Sequence, residues 1–374
     1  MYVDLLFKAG MVFFVLMVLV QLGYIWIVFG KLAFYKDIYP VSATEEPVSV
    51  IIAARNEYEN LKHKLVHVLE QDYPVFEVIV VNDCSWDESQ KFLEDMQLQY
   101  KHLKVSQLVE QEKYPTGKKF ALTIGIKAAM YENLLFTDAD CIPASNQWIR
   151  LMQRRFVQGK EIVLGFAPYN RRKGFLNVFI RFETLMTAFY YVGFAVLKNA
   201  FMGKGGNMAY YRPLFFKHKG FASHQHILSG NDDLFINQAA TANNVSIELS
   251  PESFVYTDAK ENYTAFSRQK SRHMTTGKYY KSKHKWMLGT FYASLLFFYI
   301  SWIGLWVLKP EWWPYLLTGY GVRLICQYLV YYKAALRLKC TQVVAFLPVL
   351  DLLYVFYMYY FGTKGYFTRK PKVW

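Results

Sequence analysis

Cysteine is scarce in this chain and poorly spaced for chemistry. There are four, Cys84, Cys141, Cys326 and Cys340. None forms a C-x-x-C pair or a zinc-type spacing, which argues against a redox dithiol or a cysteine metal finger. Reduced thiols without an assigned role are the expectation. Acidic residues are also few, 29 against 43 Lys and Arg, giving a formal net charge of +14. Such an excess suits nucleic acid or the anionic inner face of a membrane. Charged residues make up 19% of the chain, whereas 53% is hydrophobic and 18% aromatic. A mean hydropathy of +0.07 is high for a soluble enzyme and suggests soluble and membrane parts in one chain. The membrane, and not nucleic acid, is the expected partner of the positive charge.

Long apolar runs support this reading. Past Lys8 near its start, the run at residues 7–29 is interrupted strongly only by Gln21, and it is long enough to cross a bilayer. The run lacks the small-residue cleavage site of a signal peptide, so a retained helix is expected. Lys31 and Lys36 place its C-terminal side in the cytoplasm. Three more runs, 286–308, 312–332 and 343–361, read as spans, with Trp286, Trp312 and Trp313 at the interfaces. Arg323 and Asp351 fall near the middle of the last two. Charges at that depth find partners, and these two are expected to pair. Four spans would put both termini outside, against a basic tail of Lys364, Arg369, Lys370 and Lys372. The cytoplasmic domain is kept and the span count left open. The chain thus divides into an N-terminal transmembrane helix at 1–36, a soluble domain at 37–285 and a transmembrane region of about three helices at 286–374.

Within 37–285, buried-strand patterns alternate with helical ones. Strands are predicted at 48–54, 75–81, 105–108 and 134–141, and helices at 60–71, 85–100 and 116–129. That alternation implies a parallel sheet with helices on both faces. Beyond it come a helix at 148–158, a strand at 162–166 and an interfacial or buried amphipathic helix at 175–201. A glycine-rich loop at 203–210 follows, then a helix to 242, a strand at 245–249 and a basic run at 268–285.

Polar residues gather where the strands end, and there open α/β sheets bind ligands. Arg55-Asn56-Glu57 follows the first strand and Asn82-Asp83-Cys84-Ser85 the second. Asp138 and Asp140 close the strand at 134–141. Two apart in a strand, they would face one object. Two hard oxygen donors there suit a divalent cation that also bridges phosphates. Asn231-Asp232-Asp233 forms a second acidic cluster. Taken singly, each feature has a plainer use. Asp83 could cap a helix, Asp232 and Asp233 could complement a helix dipole, and Arg272 could serve lipid headgroups. The ordered set favours catalysis.

In this order the patches resemble a membrane-bound family 2 glycosyltransferase with the GT-A fold, over roughly residues 47–280. The implied fold is α/β, a Rossmann-like nucleotide-diphospho-sugar transferase domain between N- and C-terminal transmembrane helices. The first strand end, with Ala54, Arg55 and Glu57, resembles the nucleotide-binding opening. Asp83 resembles the acid that contacts the base, and Gly117-Lys118-Lys119 the lysine-bearing helix start. Thr137-Asp138-Ala139-Asp140 resembles the D-x-D motif, with Asp138 on donor and metal and Asp140 on metal, Mg²⁺ or Mn²⁺. Gly205 and Gly206 fall in the loop that closes over the donor. Asp232-Asp233 resembles the pair that supplies the catalytic base, with preference for Asp233. Gln269 to His273 resembles Q-x-x-R-W, carrying Gln269 and Arg272 to the donor. His273 replaces the tryptophan, which puts processive synthesis in doubt.

The resemblance implies an inverting transfer of a sugar from a nucleotide-diphospho-sugar donor to a lipid, lipid-linked or glycan acceptor, at the cytoplasmic membrane. A carboxylate would take the acceptor proton and a metal would neutralise the leaving diphosphate. Three other readings compete: a nucleotidyltransferase making activated sugars, a processive polysaccharide synthase, and a membrane-anchored nucleotide-binding protein without activity.

Overall fold

Seven consecutive buried residues, Val48–Ala54, form β1. A strand buried on both faces belongs inside a sheet covered on both sides. In the computed structural model, which describes residues 2–37, 41–110 and 117–368, β1 pairs in parallel with two strands. These are β2 (Phe76–Asp83) and, on the other side, β4 (Asn133–Phe136); β3 (Leu103–Leu108) adds to β2. A short pair apart from the main sheet joins β5 (Cys141–Pro143) to β9 (Val255–Thr257). The main sheet continues through β7 (Met208–Tyr211), β6 (Ile162–Leu164) and β8 (Val245–Ile247), in the order β3-β2-β1-β4-β7-β6-β8.

The sheet is mixed, not wholly parallel as expected, because β7 runs antiparallel to both β4 and β6. The expected loop at 203–210 accordingly ends as a strand from Met208. Its pattern is hard to separate from a loop because glycines precede it and only four residues pair. The other elements lie within a few residues of their expected places, most of them shorter.

Helices cover both faces. The first, α1 (Tyr2–Gly23), passes through a π-helical turn, Tyr24–Phe29, into α2 (Gly30–Ala33). In the domain, α3 (Tyr58–Leu69) and α4 (Ser89–Gln99) cover one face, where Leu61, Leu65 and Leu93 meet Val50, Ile52 and Val80. The opposite face, with Ile51, Ala53 and Val81, takes α5 (Lys118–Ala128). Alternate strand residues thus enter two separate cores. Thr116, expected at the start of α5, lies outside the described residues. Next come α6 (Trp148–Gln153), α7 (Phe175–Val196), α8 (Arg212–Lys217), α9 (Asp233–Ala239) and α10 (Tyr263–His273).

The helix α7 is buried along almost its whole length and forms the floor between the domain and the terminal helices. Phe189 lies 4.7 Å from the Phe29 ring and 4.6 Å from Tyr331. A Cβ on Gly193 would stand 2.5 Å from the Val28 carbonyl oxygen, so only glycine permits this approach of α7 to the π-helical turn.

The last three helices are α11 (Ser282–Leu308), α12 (Trp313–Arg337) and α13 (Leu347–Phe367). Among the described residues, three segments are long and apolar enough to cross a membrane: Tyr2–Ala33, Ser282–Leu308 and Thr341–Phe367. The fourth expected span, α12, falls short because its buried side includes Arg323 and Gln327. It nevertheless follows α1 from end to end. Trp312, just before it, meets Phe7 at 5.1 Å, Arg323 Nη2 donates to Gln21 Oε1 at 3.1 Å, and Arg337 Nη2 donates to Tyr35 O at 2.6 Å.

Arg323 and Asp351 do pair, at 2.9 Å, and Gln327 and Tyr299 donate to the same carboxylate. The far end of α13 returns to the domain, where Lys278 Nζ donates to Tyr366 O and Thr368 O at 3.3 and 3.2 Å. The C-terminal end of α13 therefore lies on the domain side, which removes the conflict raised by Lys364. Arg369, Lys370 and Lys372 lie outside the described residues.

Candidate active site

β1 and β4 end side by side, and the turns that leave them form one wall of a cleft. After Phe136 the chain turns through Asp138-Ala139-Asp140 before β5 begins. The two aspartates therefore stand in a turn and not in a strand, as expected above; the turn, not strand alternation, aims them. Their carboxylate oxygens and the Cys141 thiol all lie within 4.8 Å of one another. Two hard oxygens at this spacing fit a divalent cation. Lys118 Nζ stands 2.5 Å from Asp138 Oδ1, and Lys64 Nζ donates to Asp140 O at 2.9 Å.

The opposite wall is the glycine-rich loop and the start of α9. Gly205 N–H donates to Asp232 Oδ2 at 3.0 Å, and a Cβ on Gly206 would lie 3.8 Å from Asp138 Oδ2. The two acidic clusters thus flank one pair of glycines and share one cleft. Asp232 is the N-cap of α9, its Oδ1 accepting Asp233 N–H at 2.9 Å.

Asp233 lies deeper, 7% exposed. Its Oδ1 accepts Leu234 N–H at 2.8 Å, and its Oδ2 accepts Tyr280 Oη–H at 2.6 Å and the Thr276 hydroxyl. Burial first, then the charge of Asp232, raises its pKa to about 6 against those hydrogen bonds.

Eleven of the fourteen expected site residues line this cleft. They are Arg55, Glu57, Lys118, Asp138 and Asp140 on one side, and Gly205, Gly206, Asp232, Asp233, Gln269 and Arg272 on the other. Three do not. Ala54 is buried, and Ala53 faces the cleft in its place. Asp83 is buried behind Arg55 and Gly117, 3.8 Å from the Arg55 guanidinium and accepting Gly117 N–H at 3.1 Å. Lys119 turns away, donating to His224 O at 2.5 Å and Ile227 O at 2.7 Å. Adjacent residues on a helix point about 100° apart, so Lys118 and Lys119 cannot both face the cleft. Burial lowers the Lys119 pKa to about 8.

His273, in the position where the resemblance implies tryptophan, lines the same cavity. Burial and the charges of Lys270, Arg272, Lys204 and Lys118 hold its pKa well below the ordinary value, so it is a neutral imidazole. Sequence reasoning missed Thr276 and Tyr280, the partners of Asp233. It also missed the Lys270–Glu183 ion pair at 2.6 Å, which joins α10 to α7. Nothing in their spacing marks them, since Tyr280 meets a carboxylate 47 positions away.

A parallel-rich sheet with two acid-bearing turns at one cleft defines the GT-A class of transferases. Residues 49–218 match Glycosyl transferase family 2. This match supports the expected resemblance to family 2 glycosyltransferases over the residues it covers, and the expected fold class is borne out. The chain is 29% identical over 141 residues to 4,4'-diaponeurosporenoate glycosyltransferase of Staphylococcus aureus, covering 37% of this chain and 36% of that relative. The match thus spans about a third of that relative's length. The fold is similar to that of a mannosyltransferase, PcManGT from Pyrobaculum calidifontis, solved in complex with GDP-Man and Mn2+. The TM-score is 0.53 at 18% identity, over 96% of this chain and 95% of that chain. Residues 1–349 of S. aureus TarS are similar at a TM-score of 0.44 and 19% identity, over 81% of this chain and 91% of that chain.

Proposed function

We propose that this chain is a membrane-bound inverting hexosyltransferase. It moves a sugar from a nucleotide-diphosphate donor to a lipid, lipid-linked or glycan acceptor in envelope glycan synthesis. The observation that carries the proposal is the meeting of the two acidic clusters across Gly205 and Gly206, with Asp233 at the deep end.

Asp138 and Asp140 would hold Mg²⁺ or Mn²⁺, which supplies Lewis-acid stabilisation of the departing diphosphate. Arg272 is held among Asp138 and Asp232 and adds a charge-assisted contact to the same diphosphate. Asp233 accepts the acceptor proton. The acceptor oxygen then attacks the anomeric carbon from the face opposite the diphosphate. The bond between that carbon and the diphosphate oxygen breaks, the nucleoside diphosphate leaves with the electron pair, and configuration inverts. A carboxylate with a pKa of about 6 is ionised at neutral pH and a stronger base than an ordinary aspartate, which suits the role. Asp83 steadies Arg55 and Gly117 from behind the nucleotide site.

Lys31 and Lys36 follow the first apolar segment, and Lys281, Lys283 and Lys285 open the second. By the positive-inside rule the domain lies on the cytoplasmic side. The test is donor binding and turnover across a panel of UDP- and GDP-sugars with Mg²⁺ or Mn²⁺. Asp140→Asn should lose metal-dependent donor binding, while Asp233→Asn should bind donor and fail to turn over. Full turnover by Asp233→Asn with a dead Asp232→Asn would move the base to Asp232.

A further inference from the structure

We propose that the acceptor is an anionic lipid, which reaches Asp233 sideways from the bilayer between α11 and α13. The inference rests on the transferase reading for its purpose but on separate residues for its evidence. The cavity above the two acidic clusters holds about 1900 Å³. That is well beyond the roughly 300–1,000 Å³ of a site for one small ligand, so a second compartment adjoins the donor's.

The walls of this second compartment leave the domain. Leu288 and Tyr292 of α11 and Met358, Tyr359 and Gly362 of α13 line it. Both helices belong to the segments apolar enough to cross a membrane. An acceptor in this compartment is flanked by bilayer-type surface, and a water-soluble glycan gains nothing from such walls. An apolar tail would be stabilised there by burial.

Charge at the rim decides the headgroup. Lys278, Lys285 and Lys364 all line the cavity, and they come from the turn after α10, from α11 and from α13. Among the described residues none of the three has a carboxylate partner. Lys278 donates only to carbonyl oxygens, and Lys364 lies 5.6 Å from the Tyr360 ring. Lysines that merely follow the positive-inside rule would be scattered around the helix ends. These three line one cavity from separate elements, and a phosphate headgroup complements them.

Gly362 allows the compartment to be closed selectively, because a Cβ there would meet nothing within 4 Å. The test uses the full chain in phosphatidylcholine nanodiscs carrying a photoreactive phosphatidic acid or the matching neutral diacylglycerol. After irradiation, adducts are mapped by mass spectrometry. Phosphatidic acid should label Tyr292, Met358 and Tyr359 in strong preference to diacylglycerol. Lys285→Ala and Lys364→Ala should each reduce that labelling about five-fold. Gly362→Trp should abolish it while binding of UDP or GDP is unchanged. Equal labelling by the neutral probe overturns the proposal, as do adducts confined to the outward-facing Trp286 and Phe356. Donor binding by the wild type and by Asp140→Asn is measured in the same nanodiscs. If no nucleotide sugar binds while labelling still follows the lysines, the transferase reading fails and the lipid site stands.

Discussion

Removing the Tyr280 hydroxyl should move the pH dependence of turnover. In Tyr280→Phe, Asp233 Oδ2 loses a donor at 2.6 Å but keeps Thr276, and the ring still fills its place. A hydrogen bond to a charged group contributes about 1.5–3 kcal/mol, and one pKa unit corresponds to about 1.36 kcal/mol. Loss of the bond therefore raises the pKa of Asp233 by about one to two units. Burial and Asp232 already hold that pKa at about 6, so the variant's base would titrate near 7 to 8.

Only the ionised carboxylate accepts a proton, so activity is lost as pH falls through this pKa. At pH 6 about half of the wild-type base is ionised, against roughly 1–9% in the variant, a fall of about five- to fifty-fold. At pH 9 both are ionised and the rates converge. The assay is release of nucleoside diphosphate from a saturating UDP- or GDP-sugar, with water as acceptor, between pH 5 and 9. Donor affinity should not change. An unshifted profile, or an equal loss at every pH, would refute Asp233 as the titrating base.

Three other outcomes are expected. Arg323→Met leaves the Asp351 carboxylate buried without its cation, which should destabilise the protein by about 3–5 kcal/mol; Arg323→Met/Asp351→Leu should regain most of that in unfolding measured in detergent. Lys119→Met strands two buried carbonyls, so hydrogen exchange around 218–230 should rise and activity fall without weaker nucleotide binding. Because the folded pKa of Lys119 is lowered to about 8, the wild type should gain stability as pH rises from about 8 toward the unfolded value near 10.4, and Lys119→Met should lack that gain.

Much of the candidate site was legible because strand ends and acidic pairs are local signals. Val48–Ala54 is a strand because seven apolar or small residues in a row need two covered faces. Arg55 and Glu57 then fall at its end whatever the rest of the chain does. The D-x-D turn is a harder case. Its residues were identifiable, but its geometry was not, since β4 stops at Phe136 where its pairing with β1 and β7 ends.

Sequence alone determined the family resemblance, the apolar segments, the charge balance and most of the residues gathered in the cleft. Each of these depends on composition or on neighbours a few positions apart. Only the tertiary structure decided that Lys118 faces the acids while Lys119 faces carbonyls, that Met208–Tyr211 reverses inside the sheet, and that Tyr280 holds Asp233. It also decided that α12 follows α1 although its buried arginine keeps it out of the apolar class. These outcomes depend on which surfaces meet after the chain closes, and contacts between distant positions leave no period in the sequence.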